Sequence, residues 1–356
     1  MHSPAITRAP VTFFLGAGAS RPLGKPLMGE FIERLEKSTG LNSDQLFLRI
    51  INKERDLEFL LAELEEWIGK GYFYPGPEFF EPIGQIQPTA FETELFGLVR
   101  RAHELHQTVR HEVFTTYRSI LSARALETLQ LPLFESAFHA LQPVKKPLVI
   151  FTTNYDPAVE NLCEGNADGY DLIDGFVHQP AGKSYVWSRK EFDDYRGPNS
   201  KKNVVLFKLH GSTGWTKTPS GIIRSAASIY TTDDSSHQNV LIYPARRKVA
   251  TEEPFFTAYD YFQRCMENCR LCITIGYSFR DEDALTRLRS ASSINPHLRV
   301  LVLDPNSAEI CSTKLVPLGI RAEPIGRSFQ DFAGDPNLRT LIRDDIATAV
   351  SESIAE

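Results

Sequence analysis

Five short apolar runs of β-type residues punctuate the chain at 11–15, 147–151, 204–207, 271–275 and 298–303, and each ends in small or polar side chains. Helical periodicity lies between them. Met28, Phe31, Ile32 and Leu35 recur at helical spacing within 27–37, and further helical stretches fall at 255–268 and 281–290. Strand and helix patterns that alternate in this way predict an α/β fold built on a doubly wound parallel sheet. Such a sheet presents its ligand-binding edge at the carboxyl ends of its strands.

The pattern changes between 41 and 145. Leu57, Phe59, Leu60, Leu61, Leu64, Trp67 and Ile68 make one apolar helical face, and Val99, Leu105, Val109, Val113, Phe114, Tyr117, Ile120 and Leu121 make another, with a Gly/Pro/aromatic loop at 69–88 between them. This predicts a helical insertion over 41–145 within a sheet domain made of 1–40 and 146–335. A closing helix is expected in 336–356, with Leu338, Leu341, Ile342, Ile346 and Val350 on one side. The stretch 165–202 has little periodicity and reads as a long loop or small hairpin.

Composition narrows the possible partners. A chain of 356 residues with 42% apolar content can bury a sizeable core, and a net charge of −6 argues against holding nucleic acid by bulk electrostatics. No run reaches membrane-spanning length, and the apolar run at 11–15 is shorter than a signal-peptide core. The five cysteines, Cys163, Cys265, Cys269, Cys272 and Cys311, are odd in number and lack framework spacing. That usage suits free thiols in a reducing cytoplasm. The spacing of Cys265, Cys269 and Cys272 invites a zinc reading, but Cys272 lies in a strand pattern and no second ligand pair exists at ribbon spacing. No metal is expected. The basic run Arg246-Arg247-Lys248 could meet a phosphate or a partner surface, although a solvated loop is the commoner outcome.

Four strand exits carry candidate chemistry. Gly16-Ala17-Gly18-Ala19-Ser20 has the small side chains that let backbone amides approach a pyrophosphate, and a tight turn would use the same residues. In Thr153-Asn154-Tyr155-Asp156, Asn154 can hold a water or a sugar hydroxyl, and Asp156 can accept from an amide or a ribose or can cap the helix that follows Pro157. Lys208-Leu209-His210-Gly211-Ser212 places an imidazole at a strand exit, where it can serve as a base or as a structural group. Gly276-Tyr277-Ser278-Phe279 repeats the design, and Asp304 and Asn306 follow a later strand, where a doubly wound sheet holds an adenosine ribose or simply turns before Pro305.

In this order the segments resemble the sirtuin superfamily: Gly16 to Ser20 its first phosphate loop, Thr153 to Asp156 its Thr-Gln-Asn-Ile-Asp segment, and Lys208 to Gly211 its catalytic His-Gly. The resemblance implies a Rossmann-like domain with NAD+ as substrate. It implies catalytic roles for Asn154, His210 and Asp156, pyrophosphate contacts from Gly16, Ala17, Gly18, Ala19 and Ser20, and Gly276, Ser278, Asp304 and Asn306 near the adenosine half. Departures from the protein-deacylating members are also informative. Gly24-Lys25-Pro26-Leu27-Met28 replaces their Gly-Ile-Pro-Asp-Phe-Arg, no four-Cys ribbon lies between His210 and Gly276, and no clear acyl-lysine-binding strand is present.

The signatures are closer to the sirtuin-like NAD hydrolases of bacterial antiphage systems, which deplete NAD+ to nicotinamide and ADP-ribose. That likeness implies activity gated by assembly into a homo-oligomer or by a partner, such as a HerA-type hexameric ATPase or a short prokaryotic Argonaute. An NAD-dependent protein deacylase and a silent NAD or ADP-ribose sensor are the alternatives.

Overall fold

The computed structural model of the protein describes residues 5–71, 90–118, 123–141, 144–166, 169–178, 184–197, 202–225, 238–241 and 252–355. In chain order its strands are β1 (Val11–Leu15), β2 (Leu148–Thr152), β3 (Tyr170–Ile173), β4 (Phe176–His178), β5 (Ser184–Trp187) and β6 (Lys202–Lys208). There follow β7 (Gly211–Thr218), β8 (Gly221–Ser225), β9 (Gln238–Leu241), β10 (Leu271–Ile275), β11 (Arg299–Leu303) and β12 (Ala322–Ile325).

Seven of these form one sheet in the order β12-β11-β10-β1-β2-β6-β3, and every pairing in it is parallel. β1, β2 and β10 are buried at every position, as strands covered on both faces must be. Alternation along each strand sends Phe14, Phe151, Phe207, Val300 and Val302 to one face, where they meet Phe262 and Leu288 of the helices Phe255–Met266 and Glu282–Ile294. Phe13, Leu15, Ile150, Leu206 and Leu303 go to the other, against Phe134, Val159, Ile342 and Ile346 of the helices Ala123–Leu141, Ala158–Gly165 and Pro336–Ile354. The sheet is therefore doubly wound, as the alternation of patterns predicts.

Aromatic rings dominate the first face: Phe151 stacks on Phe207 at 5.0 Å, and Phe14 lies 4.2 Å from Tyr277. Burying one such ring contributes about 1.5–3 kcal/mol. The strand order reverses at β1, which has β10 on one side and β2 on the other. Register aligns Lys208, Thr152, Leu15, Ile275 and Leu303 in one row across the carboxyl edge.

A second sheet was not visible in the sequence. It is antiparallel in the order β4-β5-β8-β7-β9. The stretch 165–202, expected as a loop or small hairpin, supplies β3 to the parallel sheet and the β4–β5 hairpin to the antiparallel one. These strands are three or four residues long, too short to display a period.

Contacts divide the chain into two compact units. The first contains both sheets, and the second is built from Pro26–Tyr117. Within the second unit lie the helices Met28–Thr39, Gln45–Ile51 and Leu57–Gly71 and nearly all of Ala90–Arg118. Asp44 caps the Phe47 amide at 2.8 Å and pairs with Arg101 at 2.6 Å. Phe31 stacks on Tyr117, whose hydroxyl donates to the Pro26 carbonyl at 2.9 Å.

This division differs from an insertion over 41–145. The helix Ala123–Leu141 buries Leu133, Phe134, Ala137 and Leu141 in the same cluster as Leu148 and Ile150 of β2 and so joins the sheet unit, whereas Met28–Thr39 does not. The closing helix also enters that cluster through Leu338, Ile342, Ile346 and Val350. The expected loop beyond residue 71, Ile120 and Leu121, and Arg246-Arg247-Lys248 lie outside the described residues.

Candidate active site

Parallel register brings the four sequence motifs to one edge, because Gly16, Asn154, His210 and Gly276 each lie one or two residues beyond a strand of the same sheet. At the centre two glycine-bearing turns cross. The Gly16 amide donates to the Ile275 carbonyl and the Gly18 amide to the Gly276 carbonyl, both at 2.9 Å. A Cβ on Gly18 would lie 2.6 Å from the Gly276 Cα, and one on Gly276 would lie 2.4 Å from the Gly18 Cα. Gly276 also has a φ of +59°, which side chains rarely tolerate. These glycines let the turn after β1 lie on the turn after β10. Beyond Gly16 the chain enters one helical turn, Ala17–Ser20, with Ala19 and Ser20 buried.

Asn154 is tied to that turn. Its Nδ2 donates to the Gly16 carbonyl at 2.8 Å and to Ser20 Oγ at 2.9 Å, and its own amide donates to Thr152 Oγ1 at 3.0 Å. Thr152 in turn donates to the Leu15 carbonyl at 2.9 Å, so the exits of β1 and β2 are cross-braced.

Asp156 is buried, and its Oδ1 accepts from the Ala158 amide at 3.1 Å, the capping role that was one of its two readings. Its Oδ2 has no hydrogen-bond partner among the described residues. The Asp156 carbonyl accepts from Lys208 Nζ, which also pairs with Glu160 at 3.1 Å. Both side chains of that pair are buried, so removing either would strand a charge at a cost of about 3–5 kcal/mol.

His210 is buried at the exit of β6, and its Nε2 lies 2.7 Å from Asp281 Oδ2. Tyr259 donates to the same carboxylate oxygen at 2.9 Å, and Asp281 Oδ1 accepts from the amides of Asp283 and Ala284 as the N-cap of Glu282–Ile294. Burial would raise the Asp281 carboxyl, but the bonds from His210, Ala284 and Tyr259 prevail and hold it down at about 2. Asp281 was missed as a site residue. Its only sequence signal is an acidic residue at a helix start, which reads as a cap.

The remaining candidates are placed less centrally. Ser278 is exposed, and its carbonyl accepts from Lys314 Nζ at 2.7 Å. Phe279 holds a φ of +53° and packs on Tyr277 at 4.7 Å. Asp304 follows β11 and accepts the Asn306 amide at 2.8 Å, a turn closed on itself, with Asn306 exposed. The structure thus joins Asn154 to Gly16 and Ser20, Gly16 to Ile275, Gly18 to Gly276, and His210 to Asp281. Among the described residues no hydrogen bond joins Asn154 to His210. Cys265, Cys269 and Cys272 are buried free thiols, and burial pushes Cys269 up to about 12.

Residues 148–321 match the family model of the SIR2-like domain. That span holds Asn154, Asp156, His210, Gly276 and Asp281. Three solved structures are similar to it at low identity. A Sir2 homologue in complex with NAD aligns at 13% identity over 96% of this chain and 93% of its own, with a TM-score of 0.40. A mutant Sir2 homologue in complex with ADP-ribose aligns at 14% identity over 96% of each chain, with a TM-score of 0.38. A structure concerned with sirtuin substrate affinity aligns at 14% identity over 91% of each chain, with a TM-score of 0.36. No curated protein matches the chain. Among the described residues no helix is long and apolar enough to cross a membrane.

Proposed function

We propose that the chain hydrolyses NAD+ to nicotinamide and ADP-ribose. The observation that carries this reading is the placement of Asn154 and His210 beyond adjacent strands of a SIR2-like edge, with the Asn154 amide fastened to the glycine turn. The leaving nicotinamide is already cationic in NAD+, so breaking its bond to C1′ of the ribose needs little acid help. What the site must supply is position, exclusion of bulk water and one activated water.

In this reading Asn154 holds the water or a ribose hydroxyl. His210 takes the proton as the water oxygen bonds to C1′, and the free oxygen of Asp156 faces the nicotinamide side. Gly16, Ala17, Gly18, Ala19 and Ser20 meet the pyrophosphate, with Gly276, Ser278, Asp304 and Asn306 toward the adenosine half.

A hydrolase of this kind would starve its host unless gated. We assign the gate to self-assembly or to a partner of the HerA-type ATPase or short Argonaute kind, in the setting of antiphage defence by NAD+ depletion in the cytoplasm. The deacylase alternative is kept open by the SIR2-like domain itself. Chromatography of products after incubation with NAD+, with and without an acyl-lysine peptide and beside His210→Ala, separates the readings. Nicotinamide and ADP-ribose formed without peptide and lost in the variant support the hydrolase. Release that depends on the peptide and leaves it deacylated overturns it in favour of the alternative.

A further inference from the structure

His210 is a proton acceptor only if one ring nitrogen carries no hydrogen, and the group on the other nitrogen decides which. On Nε2 that group is Asp281 Oδ2, at 2.7 Å. An ionised carboxylate has no proton to give, so a hydrogen bond between the two requires the hydrogen on Nε2. We propose that Asp281 is a positioning residue that locks His210 in the Nε2–H tautomer and leaves Nδ1 bare as the proton acceptor of the reaction. This rests on the reading of His210 as the base.

The carboxylate has no freedom to present anything else. Oδ1 is held by the amides of Asp283 at 3.0 Å and Ala284 at 3.1 Å, at the start of a helix of 13 residues. Oδ2 is held by Tyr259 at 2.9 Å as well as by His210. With donors on both oxygens, rotation about the side chain would break several bonds at once. The ionised state follows from the same contacts. Among the described residues, the other charged or titratable groups near the pair include Asp283 and Glu282 on the same helix, Arg287 over the Tyr259 ring at 5.3 Å, Tyr277 beside Tyr259, and Tyr155, whose ring centroid lies 6.5 Å from that of His210. In the reaction Nδ1 takes the proton of the attacking water, the resulting imidazolium keeps Nε2–H on Asp281, and the proton leaves later to solvent.

Asp281→Asn separates this role from capping. Asn is an equally good cap, and the two helix amides require its oxygen at the Oδ1 position. Its NH2 then faces His210, and the ring must accept at Nε2 and carry its hydrogen on Nδ1. In protein labelled with ¹⁵N at histidine, with the His210 signals assigned against His210→Ala, the wild type should show a protonated Nε2 and a bare Nδ1. Asp281→Asn should show the reverse in a protein that still folds cooperatively, with a melting temperature lowered by loss of the ionised carboxylate. Its kcat for nicotinamide release should fall about 10²- to 10⁴-fold with KM held within about twofold, the scale of misdirecting a catalytic imidazole.

A wild-type His210 protonated on Nδ1 overturns the proposal, whatever the variant does. So does a folded Asp281→Asn protein that keeps the wild-type tautomer or the wild-type kcat. If the wild type releases no nicotinamide and yet shows the Nε2–H tautomer that Asp281→Asn reverses, the tautomer lock stands, and the fault lies with the hydrolase reading or with its gate.

Discussion

Asn154 and His210 sit at equivalent strand exits but are anchored differently, and their substitutions should separate in kinetics. Asn154 donates to both the Gly16 carbonyl and Ser20 Oγ. Asn154→Ala deletes two hydrogen bonds of about 0.5–1.5 kcal/mol each that brace the glycine turn. Its expected signature is a raised KM for NAD+ together with a lowered kcat. His210 touches Asp281 and not the turn, so His210→Ala should lower kcat about 10²- to 10⁴-fold with KM little changed. Initial rates of nicotinamide release decide this, and a wild-type rate in His210→Ala would remove it from the chemistry. The strand-exit positions of both residues were legible because apolar β-type runs stop abruptly in front of them. Asp281 was not, because its partner lies 71 residues away in the chain and its local pattern is fully accounted for by capping.

Among the elements, the crossing of the turns after β1 and β10 depends on backbone with no side chain between. Gly276→Ala adds a Cβ 2.4 Å from the Gly18 Cα at a φ of +59°, and Gly18→Ala adds one 2.6 Å from the Gly276 Cα. Each should destabilise by more than about 2 kcal/mol, the range of backbone clash and strain, and weaken NAD+ binding. Gly29, inside the helix Met28–Thr39, has nothing within 4 Å of its would-be Cβ. Gly29→Ala should stabilise by about 0.5–1 kcal/mol. Urea unfolding of the three variants measures the contrast, and equal effects at Gly276 and Gly29 would refute the crossing.

At this scale the parallel sheet was legible, since its buried strands read as continuous apolar runs. The antiparallel sheet was not. β7 is Gly-Ser-Thr-Gly-Trp-Thr-Lys-Thr and β4 has three residues, so neither carries an apolar alternation long enough to stand out from loop. Chain-distant packing was equally hidden: helical period alone does not tell that Ala123–Leu141 lies on the sheet while Met28–Thr39 belongs to the other unit.

The net charge of −6 says nothing about where acids are buried, and in the sheet unit several converge on one cation. Arg224 pairs with Asp174 at 2.9 Å and with Glu164 at 2.6 Å. Burial pushes Asp174 up to about 6, against the pull of Arg224. Burial, reinforced by Asp174, pushes Glu191 up to about 8, and its Oε2 has no hydrogen-bond partner among the described residues.

A carboxyl whose folded pKa is raised binds its proton more tightly folded than unfolded. Stability therefore falls as pH rises from the unfolded value near 4 through 6 for Asp174 and 8 for Glu191. Asp281, depressed to about 2, acts in the opposite sense and loses its contribution as pH falls from about 4 through 2. Glu191→Gln keeps the shape and removes the charge, so it should match the wild type in melting temperature near pH 4.5 and exceed it at pH 8.5. A difference that stays constant between the two pH values would mean that Glu191 ionises in the folded protein as it does in water, and that the cluster around Arg224 is relieved by solvent.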